Sequence, residues 1–155
     1  MEEKARKEKA VDFFMEGYNC SQSVFMAFAD RFGISEETAK MISAGLGGGI
    51  GRQREVCGAV SGAAMVIGSI FTAADGADSD GKMKNYQLVR DFCDEFRKRH
   101  NGTIICREML KIAAEKKETA KPDERTAEYY GSRPCAKAVY DAAEILESMI
   151  EANAE

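Results

Sequence analysis

The sequence contains no tryptophan, two prolines and a single histidine, His100. It also lacks any C-x-x-C pair, any secretory h-region and any surplus of positive charge. Each absence removes a class. Without C-x-x-C the zinc-ribbon and thioredoxin signatures are missing, and without C-x-x-C-H covalent haem attachment is excluded. One histidine builds no histidine-rich metal site, and a Cys–His nucleophilic pair would rest on it alone. His100 closes the charged run FRKRH, which reads as a solvated helix end. A net charge of −4 leaves no general electrostatic footprint for nucleic acid. The stretch MEEKARKEKA is charged where a signal peptide would be apolar, so a cytoplasmic location is expected. Structural disulfides rarely persist there. No run of more than three β-formers occurs, and the expected fold class is all-α.

What is present fits a globular chain. Its 155 residues are 45% hydrophobic and 31% charged, the balance of one domain spanning 1–155 with a proper core. The uncharged run from Val56 to Ala74 approaches the roughly 20 residues of a bilayer span. Its Gly, Ala and Ser content makes it weakly hydrophobic, so a buried helix is expected instead. Gly58, Gly62 and Ala63 share one face of that helix and would let another backbone approach closely.

The periodicity predicts about six helices around this small-residue-rich centre. Residues 4–17 carry Val11, Phe14 and Tyr18 on one stripe, and Gly17 is a stop signal. Asn19 caps a second helix from Cys20 to Gly33, and Ser35 caps a third through Ala44. A turn-rich break, ADGADSDG, precedes a helix over 82–99 with Tyr86, Val89, Cys93 and Phe96 in its stripe. Thr103 is placed to cap a short helix through Ala113, and the last helix starts near Ser132-Arg133-Pro134. Residues 111–133 read as a solvated helix extension or a loop, with the Glu and Lys runs at 2–9 and 115–125 as solvated faces.

Five cysteines fall on this scheme, at 20, 57, 93, 106 and 135. Cys20, Cys57, Cys106 and Cys135 each lie at or near a predicted helix start. There the free N–H groups and the helix dipole favour a thiolate. Arg52, Arg54, Arg107, Arg133 and Lys137 lie close in sequence and add to that effect. The plain alternative is that these are small hydrophobes at helix edges. Cys93 sits mid-helix in an apolar stripe and reads as a core residue. The glycine loop from Gly45 to Gly51 lacks a preceding strand and a following G-K-[ST], so tight turning between helices is expected rather than phosphate binding.

Together, Asn19-Cys20-Ser21-Gln22, the glycine loop, Cys57-Gly58-Ala59-Val60-Ser61-Gly62, Cys106-Arg107-Glu108 and Cys135 resemble the C_GCAxxG_C_C family. Its members are small bacterial and archaeal proteins described as redox-active. The resemblance implies that the four working thiols are Cys20, Cys57, Cys106 and Cys135, with Cys93 outside the set. Three readings follow. The first is thiol–disulfide chemistry by an oxidoreductase with an unidentified redox partner, Cys57 attacking and one of Cys20, Cys106 or Cys135 resolving. In the second, the same four cysteines ligate a metal ion or iron–sulfur cluster. The third is a structural helical module that forms a homodimer. None involves a membrane.

Overall fold

The computed structural model describes residues 4–71 and 75–153. Among them the chain is all-α, with eight helices rather than six. They are α1 (Arg6–Met15), α2 (Cys20–Ala27), α3 (Glu36–Ser43), α4 (Gly58–Ile70), α5 (Ser79–Arg99), α6 (Cys106–Met109), α7 (Ala127–Ser132) and α8 (Cys135–Ala152). Ala74, where the α4 segment was expected to end, lies outside the described residues. Among those described, no helix is long and apolar enough to cross a membrane.

Two caps expected from the sequence form. Asn19 accepts the Gln22 N–H at 2.9 Å while Gln22 Oε1 accepts the Asn19 N–H at 3.1 Å, a reciprocal capping box that starts α2. Ser35 caps α3 through the Thr38 N–H. The α-helix begun at Cys20 ends at Ala27, and a 3-10 turn over Ala29–Phe32 carries the chain to Gly33, which is left-handed.

The small-residue face of α4 does what its composition predicts. A Cβ at Gly62 would stand 2.9 Å from the Ser21 carbonyl oxygen, and one at Gly58 would stand 3.0 Å from the Ser21 nitrogen. Only glycine lets α2 and α4 approach this closely. The centre is therefore shared: α2 packs against α1, α3, α4 and α8, and α4 against α2, α5 and α8. Phe14, Phe28, Phe92, Phe96, Ile67 and Leu146 fill the core.

Several expectations are corrected. Tyr86 is exposed, and Phe92 takes its place beside Cys93 and Phe96 on the buried side of α5. That helix begins at Ser79, inside the turn-rich segment, because Asp78 caps it through the Gly81 N–H. Thr103 does not cap α6. Its hydroxyl accepts the Ile105 N–H, and α6 is a single turn cut short near Lys111, whose φ is +58°. Residues 111–133 form a loop that carries α7, capped by Thr126.

His100 is not solvated. It is buried, stacks on Phe96 with ring centroids 4.3 Å apart, and places Nε2 2.9 Å from Asp141 Oδ2. The sequence offered only the charged run, whereas the fold turns the ring inward over α8. Burial, with Lys137 and Arg99 nearby, holds the His100 pKa below its ordinary 6.5 despite the pull of Asp141. A depressed histidine contributes stability that is fully present above the unfolded value and is lost as pH falls through the folded one. The urea midpoint should therefore drop between pH 7 and about pH 5.5, and His100→Gln should flatten that slope. Equal wild-type midpoints at the two pH values would refute this account of His100.

Candidate thiol site

Three cysteines open helices: Cys20 begins α2, Cys106 begins α6 and Cys135 begins α8. Cys57 is the residue just before α4. The capping box places Cys20, and Pro134 precedes Cys135. Cys57 and Cys106 are set by a short antiparallel bridge between Val56 and Ile105. There the Cys57 N–H donates to Ile104 O at 2.8 Å and the Cys106 N–H to Glu55 O at 2.7 Å. These contacts bring four helix starts from distant parts of the chain to one place. Cys20, Cys57, Cys106 and Cys135 all line one cavity of about 60 Å³, and Cys93 does not. All five thiols are free.

The glycine loop shapes one wall. Gly48, Gly49, Ile50, Gly51 and Arg52 all have positive φ, so the chain makes a left-handed turn, and Arg54 follows at +65°. Each non-glycine residue in that region costs about 1–2 kcal/mol. The turn nonetheless closes on hydrogen bonds such as Gly51 N–H to Gly45 O and Glu55 N–H to Gly49 O. A Cβ on Gly49 would collide with the Arg54 and Glu55 backbone. The turn thereby folds tightly around Arg54 and sends its side chain inward. As expected, the loop serves turning between helices.

Arginines supply the polar lining. Arg54, only 4% exposed, directs Nη1 to within 3.7 Å of Cys106 Sγ and pairs Nε with Glu118 at 3.1 Å. Arg125 donates to the main-chain oxygens of Phe14 and Tyr18 and lies over the Phe14 and Tyr129 rings. Arg133 lies over Tyr129 and pairs with Asp123 at 3.2 Å. The segment 115–125 is thus not simply a solvated face. Its Glu118, Asp123 and Arg125 reach back to the cavity wall, while Lys116 and Lys117 remain exposed. Sequence reasoning missed Arg125, whose main-chain acceptors, Phe14 and Tyr18, lie more than 100 residues away.

The acidity of the thiols does not follow helix position alone. Burial pushes the Cys57 thiol up to about 12, and the N–H groups of Ala59 and Val60 oppose this without reversing it. Burial likewise raises Cys106 despite Arg54. Cys135 goes the other way. The Cys20 S–H donates a hydrogen bond to its sulfur, which is the largest influence lowering it, to about 7. Burial opposes that shift, and Arg133, Arg54 and Arg125 add to it. Cys20 is correspondingly raised. The two titrate as a pair, and the low value belongs to the first proton the pair loses. At Cys57, where the sequence placed the attacking thiolate, desolvation exceeds the effect of the helix start.

Among the described residues, no group of three or more His, Cys, Asp and Glu side chains is placed to hold a metal ion. The four sulfurs share a cavity wall without forming a ligand set.

A protein-family model described as "Putative redox-active protein (C_GCAxxG_C_C)" matches residues 18–149. No curated protein and no solved structure matches the chain significantly.

Proposed function

The chain belongs to the C_GCAxxG_C_C family of redox-active proteins, and on that premise we propose that Cys20 and Cys135 form a dithiol–disulfide couple with Cys135 as the attacking thiolate. The observation that carries this reading is that Cys20 and Cys135, the first residues of α2 and α8, line one cavity together with Arg54, Arg125 and Arg133. A thiolate is the nucleophile in disulfide exchange, and one stabilised near ambient pH combines population with reactivity. In the step, the Cys135 thiolate attacks one sulfur of a substrate disulfide, forming a mixed disulfide and expelling one substrate thiolate. Cys20 loses its proton to solvent and attacks the Cys135 sulfur. The second substrate thiolate leaves, and two electrons have passed from the protein dithiol to the substrate. Cys57 and Cys106, deeper and less acidic, serve as backing residues of the cavity.

Limited oxidation with a small disulfide, followed by peptide mapping, tests the pairing. The first two thiols lost should be Cys20 and Cys135. A first disulfide containing Cys57, Cys93 or Cys106 would overturn the assignment. The hydrogen bond itself is tested by substitution. Cys20→Ala should raise the apparent pKa of Cys135 towards the ordinary thiol value of about 8.5, whereas Cys20→Ser, which keeps a donor, should raise it less. The iron–sulfur alternative calls for a rearranged set of sulfurs. Anaerobic purification yielding stoichiometric iron or zinc that is lost in Cys57→Ser would establish it over the dithiol.

A further inference from the structure

The cavity is positive in a protein of net charge −4. Arg54, Arg125 and Arg133 line it, and Arg52 joins them around an adjoining hollow of about 310 Å³ that also contains Asp123. Four guanidiniums there face two carboxylates, Glu118 and Asp123, and the Cys135 thiolate balances one more charge. Arg54 is the telling residue. Although nine-tenths buried, its Nη2 has no hydrogen-bond partner among the described residues, and Asp123 Oδ2 stands 3.6 Å away. A buried donor left without an acceptor has given up its water without a replacement bond, which favours an incoming acceptor. Asp123 is a shared partner, 2.8 Å from Arg52 and 3.2 Å from Arg133, with a side chain 36% exposed on a segment outside any helix.

We infer, building on the dithiol reading, that the substrate is a small anionic disulfide whose carboxylate takes the place of Asp123 on Arg54 and Arg133. The outer hollow receives the carboxylate and the inner cavity admits the sulfurs, so the S–S bond is presented to Cys135. Exchange then follows the step written above, releasing two anionic thiols for the two electrons taken from Cys20 and Cys135. Bidentate recognition of carboxylates is what planar guanidiniums do well. Arginines that acted only on Cys135 acidity would speed every disulfide alike, whereas a docking site discriminates by substrate charge.

The test uses the whole chain and three reagents: the dianion 3,3′-dithiodipropionate, neutral bis(2-hydroxyethyl) disulfide and dicationic cystamine. Each rate is divided by that reagent's rate with free 2-mercaptoethanol. The normalised rates should fall from anion to neutral to cation by at least about tenfold overall, and the spread should shrink at high salt. Asp123→Asn, which vacates the charge without deleting an arginine, should raise the rate for the dianion severalfold. Equal normalised rates, a preference for the cation, or a protein disulfide outpacing all three would overturn the inference while leaving the dithiol intact. If no reagent yields the Cys20–Cys135 disulfide, the dithiol reading itself fails.

Discussion

Cys135→Ser should abolish both the fast phase of alkylation at pH 7 and the formation of the Cys20 disulfide, whereas Cys57→Ser should leave both in place. The expected size follows from the thiolate populations. With the Cys20–Cys135 pair losing its first proton at about 7 and burial pushing Cys57 up to about 12, the pair holds the larger thiolate population at pH 7 by several decades. Nucleophilicity falls with acidity by a factor of about 0.4–0.5 per unit on the logarithmic scale, which returns roughly half of those decades. Two to three decades remain, and the deeper burial of Cys57 adds to them. Alkylation with iodoacetamide, read by peptide mass at several pH values, measures this directly. The Cys135 rate should rise through about pH 7 and level off above it. A Cys57 rate equal to or greater than that of Cys135 in the folded protein would end the assignment.

That four of the five thiols lie at helix starts was legible in the sequence, but how burial and neighbours treat each of them was not. Cys20, Cys106 and Cys135 announce themselves because Asn19, the short segment after Thr103 and the Ser132-Arg133-Pro134 signal all mark helix starts, and local capping chemistry operates over a few residues. Acidity depends on longer-range facts. Cys57 lies in the protein interior, so desolvation dominates there. Cys135 is relieved first by Cys20, then by its sequence neighbour Arg133, and then by Arg54 and Arg125; apart from Arg133, none of these is near it in sequence. A pattern of helix starts reports the dipole, and it is silent about which sulfur another sulfur will hydrogen-bond.

The fold divides in the same way. The all-α class and the close α2–α4 approach could be read from periodicity and from Gly58 and Gly62, since both are properties of short stretches. Tyr86 against Phe92 could not be decided, because both fit apolar spacing in α5 and only packing against other elements chooses the buried face. His100 was misread for a related reason. Its charged neighbours Arg97 and Lys98 pair along the exposed side of α5, with Asp94 and Glu95, whereas its own ring faces Asp141 of α8, which Arg99 also reaches. Composition alone assigned 115–125 to solvent, yet salt bridges from Arg52 and Arg54 recover Glu118 and Asp123 for the cavity wall.

Phe14→Ala carries the largest expected loss of stability. The ring is 1% exposed, stacks against Tyr129 with centroids 6.4 Å apart, meets Tyr130 edge-on at 5.9 Å and lies 4.4 Å from the Arg125 guanidinium carbon. Truncating such a phenylalanine costs about 3–5 kcal/mol, a large share of the roughly 5–15 kcal/mol that holds a domain together. With a urea slope of about 2 kcal/mol per molar, the midpoint should fall by roughly 2 M. The chemistry should respond much less. Arg125 is fastened to the main-chain oxygens of Phe14 and Tyr18, at 2.8 and 2.9 Å, and those acceptors survive the substitution. The Cys20 hydrogen bond, the largest influence on Cys135, does not involve the ring. In the absence of urea, the variant should therefore keep the pH profile of Cys135 alkylation within about half a unit of wild type. A midpoint unchanged within error would mean that the aromatic cluster does not hold α1 against α7. A profile displaced towards the ordinary thiol range would mean that the ring, and not only the backbone beneath it, sets where Arg125 stands relative to the thiol pair.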